Sequence, residues 1–476
     1  MRACLCGTRP IREPFDMADL SDRTRALGLA RAMAQDGAFR SALAALIAFR
    51  TDASQPDAPL QPYLRHVAEG FVAMGFQTRG YTADGHPFLV ASRIEDPDRP
   101  TVLGYAHGDT VPGMAGQWAD DRDPWVLSED TQTGRWYGRG IADNKGQMLV
   151  NMTAMQAVLA TRGRLGFNAH VIIEMGEEIG SPGLGKLCAR LKGQLAADLL
   201  IASDGPRLDL DRPTLFLGAR GGASFRLSLK RRDGGRHSGN FGGALRNPAL
   251  ELAHALATIA TARGALQVPG WLPPTIPPAS RAALAGLTPA GGAIDPDWGT
   301  PGLTPAERIH AWNSAEILAF SAGNIDHPVN AIPDQAHAVV QLRYVPGTDA
   351  GDLAAALRSH LDAHGFGAVS VTPEGPSFRA SATPVDHPAA QFAAASLARS
   401  HDSPPVVLPS LGGSLPNDIF TDTLGLATIW VPHSYPGCSQ HAPDEHLPKT
   451  LLVEAAGLMA GLYWDLGGAA PSDLGL

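Results

Sequence analysis

The sequence predicts an α/β fold in which a mixed, largely parallel sheet flanked by helices is interrupted by a smaller α+β domain. Short apolar strand candidates alternate with helix candidates in the first part of the chain, which favours a parallel sheet. After Gly218 the strands alternate apolar and polar residues, and from about Pro384 the first pattern returns. Because 476 residues are too many for one ordinary core, we expect residues 17–218 and 381–476 to form one domain and 219–380 an inserted one.

The elements of the first domain follow from hydrophobic periodicity. Residues 22–50 and 61–75 carry apolar side chains at helical spacing, and Gly75 and Gly80 open a region of short apolar strands. The later elements are predicted in this order: strands 76–81, 88–94 and 101–105, helix 145–161, strand 169–175, helix 183–191 and strand 198–202.

The inserted segment begins with a strand candidate, residues 223–232, that has one wet face. Phe225, Leu227 and Leu229 alternate there with polar residues, whereas residues 264–312 are rich in Pro and Gly and look irregular. The remaining predicted elements are helix 248–263, strand 335–345, helix 352–364, strand 368–372 and, near the end of the chain, helix 450–466.

Composition excludes several classes of protein. With 44% hydrophobic and 18% charged residues the chain is globular and not fibrous or disordered. The formal net charge is -9, with 38 Lys and Arg against 47 Asp and Glu, which argues against a nucleic-acid partner because phosphate binding needs a basic face. No apolar run reaches the length of about 18 residues that a membrane span needs, so no membrane partner is expected.

The cysteines bear on the cellular compartment. Cys4, Cys6, Cys188 and Cys438 form neither a disulfide framework for a chain of this length nor a CxxC metal pair. A reducing compartment is favoured, and we expect a cytoplasmic protein. Residues 1–16 precede the first helical stretch and are a candidate disordered or superfluous start.

The first candidate for chemistry lies in the segment GYAHGDTVP, residues 104–112. His107 stands at the end of an apolar strand, where the ligand sites of open α/β sheets lie. A metal-bound imidazole usually donates its other N–H to a carboxylate, and Asp109 is placed to accept it. A loop histidine beside a turn aspartate explains the same two residues about equally well.

Two further segments carry acids beside apolar runs. Asp143 and Asn144 in GRGIADNKGQ precede a predicted helix, where both residue types commonly serve as N-caps. Glu177 and Glu178 in EMGEEIGSPG follow an apolar strand. Adjacent carboxylates repel each other unless a cation relieves them, which suits a metal ligand next to a general base, although a solvated acidic turn is the commoner use of such a pair.

The last two segments complete a set. Asp204 in ASDGP again follows an apolar strand, and CSQHAPDEHLP contains His441 and His446 after a strand-like run at 426–431. Each alone is compatible with ordinary loop polarity, but so many strand ends carrying an acid or a histidine exceed what independent accidents would give. Two histidines and three carboxylates suit two divalent ions, such as zinc, manganese or cobalt, with one carboxylate shared.

These motifs, in this order over roughly residues 20–465, resemble a family of metallopeptidases. That family includes carnosinase-type dipeptidases, carboxypeptidase G, aminoacylases, and acetylornithine and succinyl-diaminopimelate deacylases. The resemblance implies two divalent metal ions per subunit, zinc first, with manganese or cobalt as alternatives. It assigns one metal to His107, Asp143 and Asp204. It assigns the other to Asp143, Glu178 and His441.

The resemblance also implies catalytic roles and an architecture. Asp109 would orient the metal-binding histidine, and Glu177 would be the general base. Because the family's catalytic domain is interrupted by a dimerising lid, the inserted segment is expected to be that lid and the chain a homodimer. RHSG resembles the lid motif whose histidine, here His237, reaches the scissile carbonyl in a neighbouring subunit; an exposed loop histidine is the alternative.

Substrate-binding residues are implied in the same way. Asn330 in PVNAIP and Arg343 in QLRYVPG resemble lid residues that hold the substrate carboxylate, a task that suits the guanidinium fork, although a strand Arg facing water is the alternative. Ser414 in GGSLP resembles the glycine turn of the dipeptidases and favours the carnosinase-like branch over the deacylases. The chain departs from the family at Asp444, where many relatives have Asn, and at residues 264–312, which follow no pattern that can be mapped.

The predicted function is therefore hydrolysis of the amide bond of a dipeptide or a related N-acyl amino acid by a metal-activated water. Glu177 would take the proton of the water and pass it to the leaving amine. The main alternative is an N-acyl amino acid deacylase. A serine hydrolase built on Ser414 is disfavoured because the residue lacks a GxSxG elbow. A metal-binding protein without catalysis would have no reason to carry Glu177.

Overall fold

The computed structural model describes residues 17–273, 275–289, 294–375 and 377–476. Residues 1–16, the candidate disordered start, lie outside the described residues, as do Cys4 and Cys6. No helix in the described ranges is long and apolar enough to cross a membrane.

The α-helices of the described residues are α1 (Met17–Gln35), α2 (Gly37–Ala48), α3 (Leu60–Ala73), α4 (Lys145–Arg162), α5 (Leu184–Leu191), α6 (Ser238–Phe241), α7 (Pro248–Ile259), α8 (Pro278–Leu284), α9 (Pro305–His310), α10 (Leu353–Ala363), α11 (Pro388–Ala398), α12 (Lys449–Leu466) and α13 (Pro471–Leu474). Short 3-10 turns and one π-helical segment accompany them at Ala119–Asp121, Glu177–Ile179, Pro269–Trp271 and Ile419–Leu424.

The strands are β1 (Gln77–Ala83), β2 (His86–Arg93), β3 (Thr101–His107), β4 (Ser128–Asp130), β5 (Arg135–Tyr137), β6 (Asn168–Glu174), β7 (Leu199–Ala202), β8 (Thr214–Phe216), β9 (Gly218–Ala219), β10 (Gly221–Lys230), β11 (Arg236–His237), β12 (Ser314–Ser321), β13 (Ala331–Ile332), β14 (Gln335–Tyr344), β15 (Ser370–Glu374), β16 (Ser381–Ala382), β17 (Val406–Leu408), β18 (Ala427–Trp430) and β19 (His446–Pro448).

The central sheet has the strand order β1-β2-β6-β3-β7-β18-β8-β17. Its middle strands β6, β3, β7 and β18 run parallel to one another, and β1 and β2 extend one edge in antiparallel pairing. The predicted mixed, largely parallel sheet is confirmed. Because neighbouring parallel strands point the same way, the carboxyl ends of these four strands meet at one edge of the sheet.

Both faces of this sheet are buried under helices. Val102 and Ile173 pack into the hydrophobic cluster that includes α1, α4 and α12, whereas their neighbours Leu103 and Ile172 pack into the cluster that includes α5. Successive residues therefore enter opposite cores. This arrangement explains why the strands read as continuous apolar runs and not as alternating patterns.

The inserted domain, called the lid below, is built on a separate antiparallel sheet of strand order β12-β14-β10-β15. Phe225, Leu227 and Leu229 of β10 are buried in a core shared with α7 and α10, while Arg226 between them is exposed. The predicted one-sided alternation is confirmed for this strand. The chain enters and leaves the lid through β9 and β16, which pair side by side.

The Pro- and Gly-rich segment at 264–312 bridges the two domains. Trp271 belongs to the lid core, where its ring stacks on Phe225 with centroids 5.5 Å apart. Further along, Ile276, Leu284 and Ala306 join the hydrophobic cluster of the central sheet. The described parts of the segment thus pack on both domains and add no strand to the lid sheet.

Two helix boundaries differ from the sequence prediction. The stretch at 22–50 is broken at Asp36, whose backbone is extended (φ -72, ψ 154), because Asp36 and Gly37 place two weak helix formers side by side. The helix predicted at 248–263 ends at Ile259, since Ala260 instead pairs with Leu266 in an antiparallel bridge.

Candidate active site

The strand ends that meet at one edge of the central sheet deliver the predicted polar side chains. His107 is the last residue of β3, and Asp204 lies two residues beyond the end of β7. Glu177 and Glu178 begin the 3-10 turn that follows β6, and His441 lies in the loop after β18. The common direction of these parallel strands brings all five side chains to the same place.

Asp143 links the two histidines. Its Oδ1 lies 2.8 Å from His107 Nε2, and its Oδ2 lies 2.9 Å from His441 Nε2. Asn144 occupies the N-cap position of α4 without a side-chain capping bond. The carboxylate of Asp143 therefore contacts both histidines, accepts a further hydrogen bond from Gln440 Nε2 and does not cap the helix.

Two buried carboxylate oxygens beside these histidines have no hydrogen-bond partner. Glu178 places Oε2 at 3.1 Å from His441 Nε2, but its Oε1 is unpartnered. Asp204 places Oδ2 at 3.6 Å from His107 Nε2, and this atom is also unpartnered. A buried anionic oxygen without a partner is costly, so the site fits a bound cation.

The donor set fits divalent metal ions. Ligand atoms of His107, Asp143 and Glu178 all lie within 4.8 Å of one another, and Asp204 and His441 adjoin them through the contacts above. Imidazole nitrogen with carboxylate oxygen suits zinc and its neighbours in the first transition row. The structure therefore contains a candidate divalent-metal site.

The pKa values of these groups are shifted by burial and by the negative charges that lie close together in the cluster. Burial disfavours the anion of Asp143, but hydrogen bonds from His107 and His441 outweigh burial and hold its pKa below the ordinary value. Hydrogen bonds to Asp143 and Glu178 raise the pKa of His441 to about 10. Burial, and then the charge of Asp143, raise the pKa of Asp204 to about 7.

Asp109 connects the histidine of β3 to the acidic turn. Its Oδ1 lies 3.4 Å from His107 Nδ1, while its backbone carbonyl lies slightly closer, at 3.2 Å. The same carboxylate accepts the backbone N–H groups of Glu177 and Glu178, at 3.2 and 3.1 Å. Asp109 thus holds in place the predicted ligands His107 and Glu178 and the predicted base Glu177.

Glu177 faces the cavity in front of the cluster. Burial raises the pKa of its carboxyl; His107 works against this shift, whereas the charges of Asp204 and Glu178 add to it, and the pKa lies well above 4.5. A carboxylate with a raised pKa accepts a proton more readily, which is what a general base requires.

Glu445 organises the loop that carries Asp143, and sequence reasoning missed it. Its buried carboxylate accepts Arg139 Nη1 at 2.8 Å and the backbone N–H groups of Gly140, Ala142 and Asp143 at 3.0, 2.8 and 3.2 Å. The only signal in the sequence was the position of this acid four residues after His441, within a segment already singled out.

Gln147 was missed as well, and it ties together the loops of three predicted ligands. From the first turn of α4 its Nε2 donates to Ala142 O at 2.8 Å and to Gly205 O at 3.4 Å, and its Oε1 accepts His433 N at 2.7 Å. Ala142 and Gly205 adjoin two predicted ligands, and His433 lies on the segment that leads to His441.

A cavity of about 720 Å³ lies between the two domains in front of the cluster. Glu177 and His441 line it from the catalytic domain, and Gln341 and Arg343 line it from the lid. The end of α9 also borders it. The segment that sequence reasoning could not map therefore forms part of the cavity wall.

Arg343 and Ser414 meet at this cavity although they are distant in sequence. Arg343 Nη1 donates to Ser414 Oγ at 2.6 Å, and its Nε donates to Gln341 Oε1 at 3.1 Å. Gly222 makes room for the pair, since a Cβ there would lie 3.0 Å from Nη1 and 3.1 Å from Oγ. Across the described ranges this guanidinium has no carboxylate partner.

The contacts of Ser414 also test the serine-hydrolase alternative. A serine nucleophile needs a neighbouring base, yet within the described chain the hydrogen bond of Ser414 Oγ is to Arg343 and not to a histidine. The structure gives that alternative no support.

His237 and Asn330 lie together, away from the cavity wall. His237 is exposed, pairs with Ala331 across β11 and β13, and accepts the N–H of Gly239 through Nδ1 at 3.1 Å. Asn330 O accepts Ser238 N at 2.9 Å. Among the described residues that line the cavity neither appears, so within one chain the structure does not bring them to the metal cluster.

Comparison with known proteins gives one family model, Peptidase family M20/M25/M40, which matches residues 103–465. A Beta-Ala-His dipeptidase of Mus musculus is 36% identical over 187 residues, which cover 39% of this chain and 37% of that protein. A Cysteinylglycine-S-conjugate dipeptidase of Corynebacterium striatum is 28% identical over 361 residues, 71% of this chain and 74% of that protein. The match to the mouse relative thus spans little more than a third of its length.

The fold is also similar to solved structures. The dipeptidase Dug1p from Saccharomyces cerevisiae superposes with a TM-score of 0.76 at 19% sequence identity, covering 94% of this chain and 99% of that one. At this identity the likeness shows a common fold.

Proposed function

The chain belongs to Peptidase family M20/M25/M40, and from this premise we propose that it hydrolyses the amide bond of dipeptides that carry a free carboxylate. One observation carries the proposal: the guanidinium of Arg343, which has no carboxylate partner among the described residues, and the candidate cation site around Asp143 line the same cavity. Cleavage of a dipeptide uses both groups in one cavity, because the substrate carboxylate lies only one residue from the bond to be cleaved. The dipeptidase relatives favour this function over the deacylase alternative.

We further propose that the cluster holds two divalent cations, zinc first, with manganese or cobalt as alternatives. His107, Asp143 and Asp204 would bind one, and Asp143, Glu178 and His441 the other. The unpartnered oxygens of Glu178 and Asp204 support this assignment. When bound, the cations would supply Lewis-acid chemistry, since they would polarise the scissile carbonyl and lower the pKa of the attacking water.

Glu177 is the proposed base and proton carrier. Its carboxylate takes a proton from the attacking water and delivers it to the nitrogen of the leaving amine. Asp109 supports the role by fixing the backbone of the turn at both Glu177 and Glu178. The raised pKa of Glu177 suits a group that must hold the proton between the two steps.

The substrate carboxylate is proposed to bind Arg343 and Ser414. Asn330 lies beside His237 and away from the cavity of its own chain, so the help proposed for this residue would come from Asn330 of the partner subunit. The guanidinium fork can hold a carboxylate through two hydrogen bonds, and Ser414 can add a third. Burial lowers the pKa of Arg343, because a partly buried cation loses part of its hydration; the carboxylate of a substrate would supply a compensating charge.

We propose that His237 acts in the active site of a partner subunit of a homodimer, where it donates to the oxyanion. Its Nδ1 accepts a backbone N–H, which leaves Nε2–H as the free donor. The edge strand β12 supports a lid-to-lid dimer, since Ile317, Leu318 and Phe320 are 55%, 56% and 45% exposed there.

We also propose that the enzyme works in the cytoplasm. Cys188 and Cys438 are both unpaired and buried, as is common in a reducing compartment.

A substrate screen tests the proposed function. The purified protein is stripped with a chelator, reloaded with zinc, manganese or cobalt, and given Xaa-Xaa dipeptides, their C-terminal amides and N-acetyl amino acids. We expect metal-dependent cleavage of the free dipeptides and much weaker cleavage of the amides. Faster turnover of the N-acetyl amino acids would establish the deacylase alternative, and full activity of the metal-free protein would refute metal-dependent hydrolysis.

A further inference from the structure

The segment at 264–312 ends at the active-site cavity in a short, well-fixed helix. α9 begins with a capping box, in which Thr304 Oγ1 accepts Glu307 N at 3.2 Å and Glu307 Oε2 accepts Thr304 N at 2.7 Å. At its other end, Ile309 and His310 line the cavity. The helix thus holds these two side chains in a defined position on the wall.

His310 is anchored by one ring nitrogen only. Its Nδ1 donates to Ser410 O at 2.9 Å, which makes Nε2 the acceptor nitrogen of the neutral ring. The residue is only 6% exposed but lines the cavity, and Nε2 has no hydrogen-bond partner among the described residues. Burial lowers the pKa of His310 to about 4, so the ring is neutral at physiological pH. The result is a fixed, unpartnered acceptor at the cavity wall.

The acceptor lies on the Arg343 side of the cavity. Ser410 O, to which His310 is anchored, precedes the glycine turn that holds Ser414, and a Cβ at Gly412 in that turn would lie 2.8 Å from Ile309 Cγ2. The end of α9 therefore packs directly on the turn whose serine contacts Arg343.

Arg220 strengthens the positive character of this side. Its Nε donates to Gly412 O at 2.8 Å, and its charge, which Glu316 partly offsets, acts on both His310 and Arg343. Two guanidinium groups near the acceptor disfavour the cationic amino terminus of a dipeptide there. Of the two residues of a dipeptide substrate, the carboxyl-terminal one is therefore expected to contact His310.

We propose that His310 Nε2 accepts a hydrogen bond from the side chain of the substrate's carboxyl-terminal residue. The enzyme thereby favours side chains that carry a neutral donor, such as an amide, over apolar side chains of the same size. This inference rests on the proposed dipeptidase function, and it names the substrate class of that site.

The test compares matched dipeptides in the metal-loaded enzyme. Asn and Leu side chains are close in shape, so the ratio of kcat/KM for Ala-Asn to that for Ala-Leu isolates the hydrogen bond from size. In His310→Asn the amide nitrogen can still donate to Ser410 O while the Nε2 acceptor is lost. We expect this variant to lower the ratio roughly threefold to tenfold, the worth of one neutral hydrogen bond, with little change for Ala-Leu.

A matched control is His364→Asn. His364 is exposed on the lid and also contacts a backbone carbonyl through Nδ1, that of His360 at 2.8 Å, but it does not line the cavity. His364→Asn should leave the ratio of kcat/KM for Ala-Asn to that for Ala-Leu unchanged. If His310→Asn does not fold, His310→Phe carries the same test, because it fills the ring volume and lacks an acceptor.

The outcomes separate the two proposals. If the wild-type enzyme cleaves neither dipeptide, the proposed function fails and this inference falls with it. If it cleaves both and the ratio is the same in the wild type and the His310 variant, the inference alone is overturned.

Discussion

Glu445→Gln is predicted to weaken both the fold and the metal site. The carboxylate is 1% exposed and accepts four donors: one from Arg139 and three from the backbone segment that ends at Asp143. A glutamine offers one oxygen where the carboxylate offered two, so its NH2 group would face donors and leave them unsatisfied. It would also leave Arg139, itself 1% exposed, without its anion.

The magnitude follows from these contacts. Removing one partner of a buried ion pair costs about 3 to 5 kcal/mol, because the remaining charge stays buried and uncompensated. Asp143 N is one of the four donors, so the proposed bridging ligand should lose its fixed position. Changes behind a metal ligand typically weaken metal affinity about tenfold to a hundredfold.

Two assays and one control variant check this. Urea unfolding gives the free energy of unfolding, and competition with a chelator gives the affinity for zinc. Glu95→Gln is the matched control: Glu95 also accepts two backbone N–H groups and an arginine, from Leu165, Gly166 and Arg93 at 2.9, 2.9 and 2.8 Å, but near the opposite end of β6. It should lower stability without changing metal affinity. Equal zinc affinity in Glu445→Gln, Glu95→Gln and the wild type would refute the reasoning.

Four other predictions concern catalysis, binding and acid stability. Glu177→Gln should keep the metals and lose about a hundredfold to ten-thousandfold in turnover, whereas Glu178→Gln should lose metal; elemental analysis with the opposite pattern would show the two roles reversed. Arg343→Ala should raise the Michaelis constant for free dipeptides more than for their C-terminal amides, and an equal change in both would contradict carboxylate binding. Mixed dimers of Glu177→Gln and His237→Ala chains should regain activity, and mixed dimers that form but stay inactive would rule out a shared site. Burial opposes ionisation of Glu95, but hydrogen bonds from Leu165, Gly166 and Arg93 hold its pKa below 4.5. The ionised carboxylate therefore stabilises the fold above about pH 4.5, and this contribution is lost as the pH falls through the folded-state pKa. Acid unfolding of Glu95→Gln should lack this part of the pH dependence, and an acid unfolding profile equal to that of the wild type would contradict the prediction.

The sequence by itself determined the fold class, the family and the residues of the candidate metal cluster. Most of these residues follow a local pattern, in which an apolar run long enough for a buried strand is followed closely by a histidine or an acid, as at His107 and Asp204. Asp143 does not follow this pattern, and only the resemblance to the metallopeptidases assigned it to the cluster. Parallel strands carry such residues to the same edge, so the order of motifs along the chain was enough to predict that they meet. Both the resemblance to the metallopeptidases and the mixed sheet are confirmed.

The tertiary structure alone decided what surrounds that cluster. Glu445 accepts backbone groups some 300 residues earlier in the chain, and Arg343 meets Ser414 across 71 positions. Neither pairing leaves a periodic signal, because a buried carboxylate or guanidinium is recognised by the donors and acceptors that folding brings to it. The irregular segment ending at His310 is the clearest case: its proline and glycine content predicts only turns, and its role depends on the surface against which it packs.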